Sequence, residues 1–261
     1  MNYYNEFDPK AAAWLRELIK QNLIPNGIVD ERSIKDVQPN DLRDFTQCHF
    51  FAGIGGWSLA LHLAGWPSDR PVWTGSCPCQ PFSNAGKGAA EKDPRHLWPD
   101  FFRLIQERKP PVIFGEQVAS KAALAWIDGV FDDLEAEDYA CGAADLCASS
   151  KGAPHVRQRL SWVAYSPGYG RQGIQRCVKA QIQEDGTPET LGAWNRSGDP
   201  FTEWQKLLAG TEVRRLDDGV PSTMVVRPAL RGFGNAIVPQ VQAEFIIASE
   251  EAFGDLIKPG D

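Results

Sequence analysis

The chain has 261 residues, 43% of them hydrophobic and 23% charged, with a formal net charge of -7. That length suits one α/β domain with a smaller appendage, and the acidic balance argues against a protein that coats nucleic acid by bulk attraction, though a local basic cleft can sit on an acidic molecule. No apolar run approaches the ~20 residues of a membrane span, and the start, MNYYNEFDPKAAAWLRELIK, lacks the order of a signal peptide, so a cytoplasmic protein is expected.

Residues 10–23 place Ala13, Leu15, Leu18, Ile19 and Leu23 at helical spacing before the stop Pro25-Asn26-Gly27, so a helix is expected to open the chain. QCHFFAGIGGWSLALHLAGW then reads as a strand, a glycine turn and a helix ended by Gly65 and Pro67. RPVWTGS is a second strand, LWPDFFRLIQERK a helix, PPVIFGEQV a third strand, and a helix near ALAWIDGVFDDLEAE precedes strands at YACGAADLC and RLSWVAYS. From Pro167 to about Val226 the pattern dissolves into a small irregular module, after which RGFGNAIVPQVQAEFIIASEEAF is a glycine turn and a helix carrying Val241, Phe245 and Ile246. Alternation of this kind predicts an α/β fold, a doubly wound, mostly parallel Rossmann-like sheet whose ligands sit at the carboxyl ends of the strands.

Six cysteines scattered without secretory context are expected as reduced thiols. Cys77-Pro78-Cys79 is a poor zinc half-site, because zinc clips favour Cys-x2-Cys and no second pair follows, so no metal is expected. Cys79 instead stands between restrictive prolines at a strand end, where a thiol is aimed, although a lone cysteine is more often structural. Its neighbours favour chemistry. The FAGIGG turn, Phe51 to Gly56, lets backbone approach a ligand at a helix N-terminus; Glu116 ends an adjacent strand as a candidate acid; Arg157 and Arg159 point to one side of an extended segment, suited to a phosphate or a pyrimidine carbonyl.

The series FAGIGG, GSCPCQPFSNAGKG, DPRHLWPDFFRLI, GEQV, GAPHVRQR and GFGNAIVPQ, in that order, resembles the DNA (cytosine-5) methyltransferase family, and Pro-Cys-Gln-Pro-Phe-Ser is its most specific piece. The resemblance covers roughly residues 49–165 and 215–248. It implies transfer of a one-carbon unit to C5 of cytosine in DNA. Cys79 adds to C6, Glu116 hydrogen-bonds or protonates N3, Arg159 lies near the base carbonyl and Arg157 near backbone phosphate, with the cytosine flipped out of the duplex. It implies S-adenosylmethionine held by Phe51, Gly53, Gly55, Gly56, Trp57 and Asn235, and DNA contacts from Gln80, Ser83, Lys87, His155, Arg171 and Arg214. A bacterial or phage-infected cell is expected from the compact, acidic chain with its small recognition region, and a monomer is expected.

The chain departs from the family in one large way: only 22 residues separate Gly56 from Cys79, too few for the two strands that usually end in acids for the donor's ribose and adenine. GIVDERSIKDVQPNDLRDFTQ resembles the adenine-side strand moved upstream, so Asp30 or Glu31 supplies the missing carboxylate, or the segment is a solvated turn. If the pocket has lost S-adenosylmethionine, 5,10-methylenetetrahydrofolate is the alternative donor and 5-hydroxymethylcytosine the product. Two further alternatives are the same chemistry on tRNA and a non-catalytic nucleic-acid-binding relic; retention of Cys79, Glu116, Arg157 and Arg159 counts against the relic. Gln117 replaces the family's usual Asn, a longer amide expected to shift the loop holding Glu116, and His155 replaces a usual Gln. The organisation is then 1–48, an N-terminal helix and relocated donor-site segment; 49–166, catalytic; 167–226, a small target-recognition region with a short or relaxed target; and 227–261, returning to the catalytic domain.

Overall fold

The computed structural model of the protein describes residues 1–78, 97–119, 121–148, 158–167, 169 and 237–256. The chain opens not with a helix but with a strand, β1 (Asn2–Asn5), buried along its whole length. Four residues, two of them asparagines, are too short a stretch for either periodicity to show. Helix α1 (Pro9–Lys20) follows, capped by the Asp8 carboxylate, which accepts from the backbone N–H groups of Lys10 and Ala11. Its buried stripe is Ala12, Leu15 and Leu18, so Ala12 and not Ala13 faces inward. The helix gives way at Asn22, left-handed at φ 57°, before the proline is reached.

The remaining elements are β2 (Gly27–Asp30), a 3-10 turn (Pro39–Leu42), β3 (Gln47–Phe50), α2 (Gly56–Leu63), β4 (Val72–Gly75), α3 (Trp98–Arg108), β5 (Val112–Val118), α4 (Lys121–Glu135), β6 (Ala140–Cys147), β7 (Gln158–Tyr165) and α5 (Pro239–Leu256). From β3 onward they fall where the hydrophobic pattern puts them. Among the described residues the strands form one seven-stranded sheet, ordered β2-β1-β3-β4-β5-β7-β6. The first five run parallel, and β7 is antiparallel to both β5 and β6.

That order resolves the missing-strand problem. Counting the glycine-loop strand β3 as the first, the left part of the sheet reads 3-2-1-4-5, the doubly wound order, with its second and third strands supplied by β1 and β2 from upstream. Residues 1–48 are therefore built into the same sheet as the rest. The short route from α2 to β4 is made by a Schellman-type end, in which Trp66 N–H donates to Leu61 O and Gly65 N–H to His62 O, with Gly65 at φ 71°. The Gln47 amide then fastens the connection: it donates to Pro67 O at 3.1 Å and accepts from Asn2 Nδ2 at 3.0 Å, tying the connection to the first strand of the chain.

Helices α3 and α4 cover one face of the sheet through Phe101, Leu104, Ile105, Trp126, Ile127, Val130 and Leu134. Helices α2 and α5 cover the other through Trp57, Leu61, Phe245 and Ile246, while Leu15 and Leu18 of α1 pack with Tyr4, Ile24 and Leu59. Leu15 and Leu18 are fully buried. Burying a leucine contributes about 1.5–3 kcal/mol, so α1 has a strong hold on the sheet.

Candidate active site

The register lines up the strand ends. Asp30, Asn5, Phe50, Gly75 and Gly115 are partners in one row across β2, β1, β3, β4 and β5. One residue further along lie Glu31, Glu6, Phe51, Ser76 and Glu116. The row crosses the reversal of strand order between β3 and β4, where an open α/β sheet forms its ligand crevice.

On the β3 side the turn is built from left-handed residues: Phe51 at φ 52°, Gly53 at φ 58° and Gly55 at φ 85°. Only glycine takes such angles without strain, and a phenylalanine held there is the kind of outlier that gathers at ligand sites. Gly56 is glycine for another reason. A Cβ there would meet Ile237 Cγ1 at 2.6 Å, so the close approach of the residues leading into α5 depends on its absence. Gly53 N–H donates to Glu6 Oε2 at 2.7 Å, and Asp8 N–H donates to Glu6 Oε1 at 2.8 Å. Burial pushes the Glu6 carboxyl above the usual glutamate range, with those two N–H groups opposing it. Glu6 is a functional candidate that sequence reasoning missed, because the four-residue strand before it carries no readable period. Phe7 follows it, 72% exposed.

Asp30 and Glu31 each carry partners within the chain. Asp30 accepts from Tyr3 Oη at 2.7 Å and from Arg32 at both oxygens, and Arg32 also pairs with Asp41. Burial works against its charge, but these bonds outweigh it and hold the carboxyl below the ordinary range. Glu31 pairs with Arg16 at 2.6 Å.

At the other end of the row, Glu116 is 6% exposed and lies within β5 rather than in a loop. Arg159 Nε approaches its Oε1 at 2.9 Å from the antiparallel strand β7. Gly115 beside it must lack a side chain, since a Cβ would sit 2.2 Å from the Trp162 ring. Gln117, 4% exposed, also belongs to the strand: it donates to Cys77 O at 3.1 Å and accepts from Val118 N–H at 2.9 Å. Trp57 is buried, stacked near Phe114, and its indole N–H donates to Ser76 Oγ at 3.0 Å.

One row below, Tyr4, His49 and Thr74 are cross-strand neighbours. Tyr4 Oη donates to Pro25 O, Ser58 Oγ donates to Tyr4 Oη, and Ser58 is 3.2 Å from His49 Nε2. Ser58 therefore accepts from Nε2–H, which leaves Nδ1 to accept from Thr74 Oγ1 at 2.8 Å. Burial lowers the His49 pKa to about 3, so the network is held by a neutral imidazole.

The expected residues Cys79, Gln80, Ser83, Lys87, His155, Arg157, Arg171, Arg214 and Asn235 lie outside the described residues, as does most of the 167–226 region. Among the described residues Cys48 and Cys141 are free thiols. No group of three or more His, Cys, Asp or Glu gathers as for a metal ion among them, and no helix is long and apolar enough to cross a membrane.

Residues 67–196 match the family described as C-5 cytosine-specific DNA methylase. The chain is 28% identical over 139 residues to the Type II methyltransferase M.HgiCII of Herpetosiphon aurantiacus, a match over 38% of this chain and 32% of that one. It is 27% identical over 184 residues to the Type II methyltransferase M.HhaI of Haemophilus parahaemolyticus, over 54% of each. Among solved structures it resembles a Spodoptera frugiperda DNMT2 mutant at 15% identity and TM-score 0.42, covering 70% of this chain and 53% of that one. The chain thus spans between about a third and about half of the length of these curated relatives. Through the stretch that holds Glu116 and its partner Arg159, the chain belongs to the C-5 cytosine-specific DNA methylase family.

Proposed function

We propose that the protein methylates C5 of cytosine in DNA, with S-adenosylmethionine as donor and Cys79 as nucleophile. The observation that supports this most is the single row of strand ends carrying Glu6 on the glycine loop at one side and the Glu116–Arg159 pair at the other. Three strand spacings separate β1 from β5, about 14 Å at 4.7–4.9 Å each, a length that a nucleoside with an amino-acid tail can bridge.

The residues present fit such a donor. The Glu6 carboxylate has lone pairs left beyond the two N–H bonds it accepts, enough for two ribose hydroxyls; exposed Phe7 beside it offers a face for adenine; Phe51, Gly53, Gly55 and Gly56 let backbone approach the tail. When bound, S-adenosylmethionine supplies an electrophilic methyl carbon on a sulfonium. Trp57 shapes this wall from inside the core, and Asn235 is assigned to the donor by the family resemblance alone. Asp30, saturated by Tyr3 and Arg32, holds the far edge of the pocket more than it offers free acceptors, and Glu31 is turned to Arg16.

The reactive half works on a cytosine flipped out of the duplex. The Cys79 thiolate adds to C6 while Glu116 gives a proton or hydrogen bond to N3, so that C5 becomes an enamine carbon able to take up the methyl group. Loss of the C5 proton to a base and elimination of the thiolate restore the ring. Arg159 orients Glu116 and lies within reach of the base carbonyl, while Arg157, His155, Gln80, Ser83, Lys87, Arg171 and Arg214 are assigned to DNA, with a short or relaxed target. The 5,10-methylenetetrahydrofolate alternative rests on the acidic strands being absent; β1 and β2 occupy those sheet positions, and no observation favours it. The host is a bacterium or a phage-infected cell.

Duplex DNA containing 5-fluorocytosine tests the reading. With S-adenosylmethionine the wild-type chain should form a complex stable to denaturation, because fluorine blocks loss from C5, and Cys79→Ala should form none. Absence of the complex with the wild type would overturn the proposal.

A further inference from the structure

Two side chains seize consecutive residues just before Cys79. Trp57, in the first turn of α2, donates to Ser76 Oγ at 3.0 Å, and Gln117 of β5 donates to Cys77 O at 3.1 Å. The first tether comes from the helix that follows the glycine loop, the second from the residue next to Glu116. Resting on the methyltransferase reading above, we propose that Gln117 is a positioning residue that sets the distance between the nucleophile and Glu116, and that this chain needs Gln there for its length.

Gln117 is 4% exposed and both its polar ends are used, Nε2 on Cys77 O and Oε1 on Val118 N–H, so its rotamer is fixed from both sides. Asn in its place is one carbon–carbon bond shorter, about 1.5 Å, and a 3.1 Å bond to Cys77 O then opens beyond hydrogen-bond range. Covalent geometry transmits the hold onward. With the Cys77 carbonyl anchored and the φ of Pro78 fixed by its ring, the soft torsions left before the Cys79 sulfur are ψ of residue 78, φ of residue 79 and χ1 of residue 79. The strand bearing the acid thus holds the entrance to the nucleophile through the neighbouring side chain.

Gln117→Asn separates this role from a general one, because Asn is the family's usual residue. The full chain is mixed with 5-fluorocytosine duplex and S-adenosylmethionine, and the single-turnover rate of adduct formation is compared with donor and DNA dissociation constants and with the thermal midpoint. A misplacement of about 1 Å can lower a rate on the order of 100-fold. The expected result for Gln117→Asn, and for length-matched Gln117→Met, which lacks the donor, is a rate 10- to 100-fold lower, with both dissociation constants within about twofold of wild type. A wild-type rate in Gln117→Asn overturns the inference alone, as does a rate loss matched by an equal loss of donor affinity. No adduct from the wild type overturns the reading on which it rests.

Discussion

Replacing Glu6 is the sharpest perturbation of the donor side. Its carboxylate has about four acceptor sites, of which Gly53 N–H and Asp8 N–H take two, leaving two for ribose hydroxyls. Hydrogen bonds to a charged group contribute about 1.5–3 kcal/mol each. Glu6→Ala, which loses both, should weaken S-adenosylmethionine binding by about 3–6 kcal/mol, on the order of 100-fold or more. Glu6→Gln keeps one oxygen but turns an NH2 toward one of the two backbone donors, and about 10- to 100-fold is expected. Calorimetric titration of the donor into each chain gives the numbers. The pH dependence supplies a sign. Because burial raises the Glu6 pKa, its contribution to stability is fullest below the ordinary glutamate range and declines as pH rises through the raised value. Donor affinity should rise over the same interval, since the ionised form accepts better, and Glu6→Gln should show neither trend. A Glu6→Ala chain that binds the donor within threefold of wild type would refute the reasoning.

Other consequences are open to simpler tests. Arg159→Met removes the Arg159–Glu116 ion pair in a site 6% exposed, so adduct formation on 5-fluorocytosine DNA should fall at least 100-fold, and retention of the wild-type rate would dismiss Arg159 from the site. Gly56→Ala drives a Cβ to 2.6 Å from Ile237 and should cost about 1–3 kcal/mol in urea unfolding, together with donor affinity; an unchanged midpoint would mean that α5 does not rest on the turn. His49 is neutral when folded but takes up a proton when unfolded below its ordinary pKa of 6.5. Stability should therefore fall as pH drops from 6.5 toward 3, with a slope approaching about 1.4 kcal/mol per pH unit that disappears in His49→Gln.

The parts of the fold most readable from sequence were those with long periodic elements. From β3 to β7 the alternation of short apolar runs with amphipathic helices such as Trp98–Arg108 names both the element types and the parallel sheet. β1 was hidden because four residues carry no period, and its burial on both sides becomes apparent only when β2 and β3 flank it. Without β1 the sequence does not single out Glu6, and the acids it offers on the donor side are Asp30 and Glu31. Their partners Tyr3, Arg32 and Arg16 come together only in three dimensions. Glu116 and Arg159 were legible as residues, whereas their pairing depends on the antiparallel turn of β7 against β5, which no local pattern encodes. Gln117 was visible as a departure in type. Its reach to Cys77 required the register of β4 and β5.

Mass analysis of nucleosides from DNA incubated with the protein decides between the donors, with S-adenosylmethionine in one reaction and 5,10-methylenetetrahydrofolate in another. The expected product is 5-methylcytosine with the first, lost in Cys79→Ala, and no modified base with the second. Unmodified DNA with S-adenosylmethionine, or 5-hydroxymethylcytosine formed with the folate alone, would contradict it.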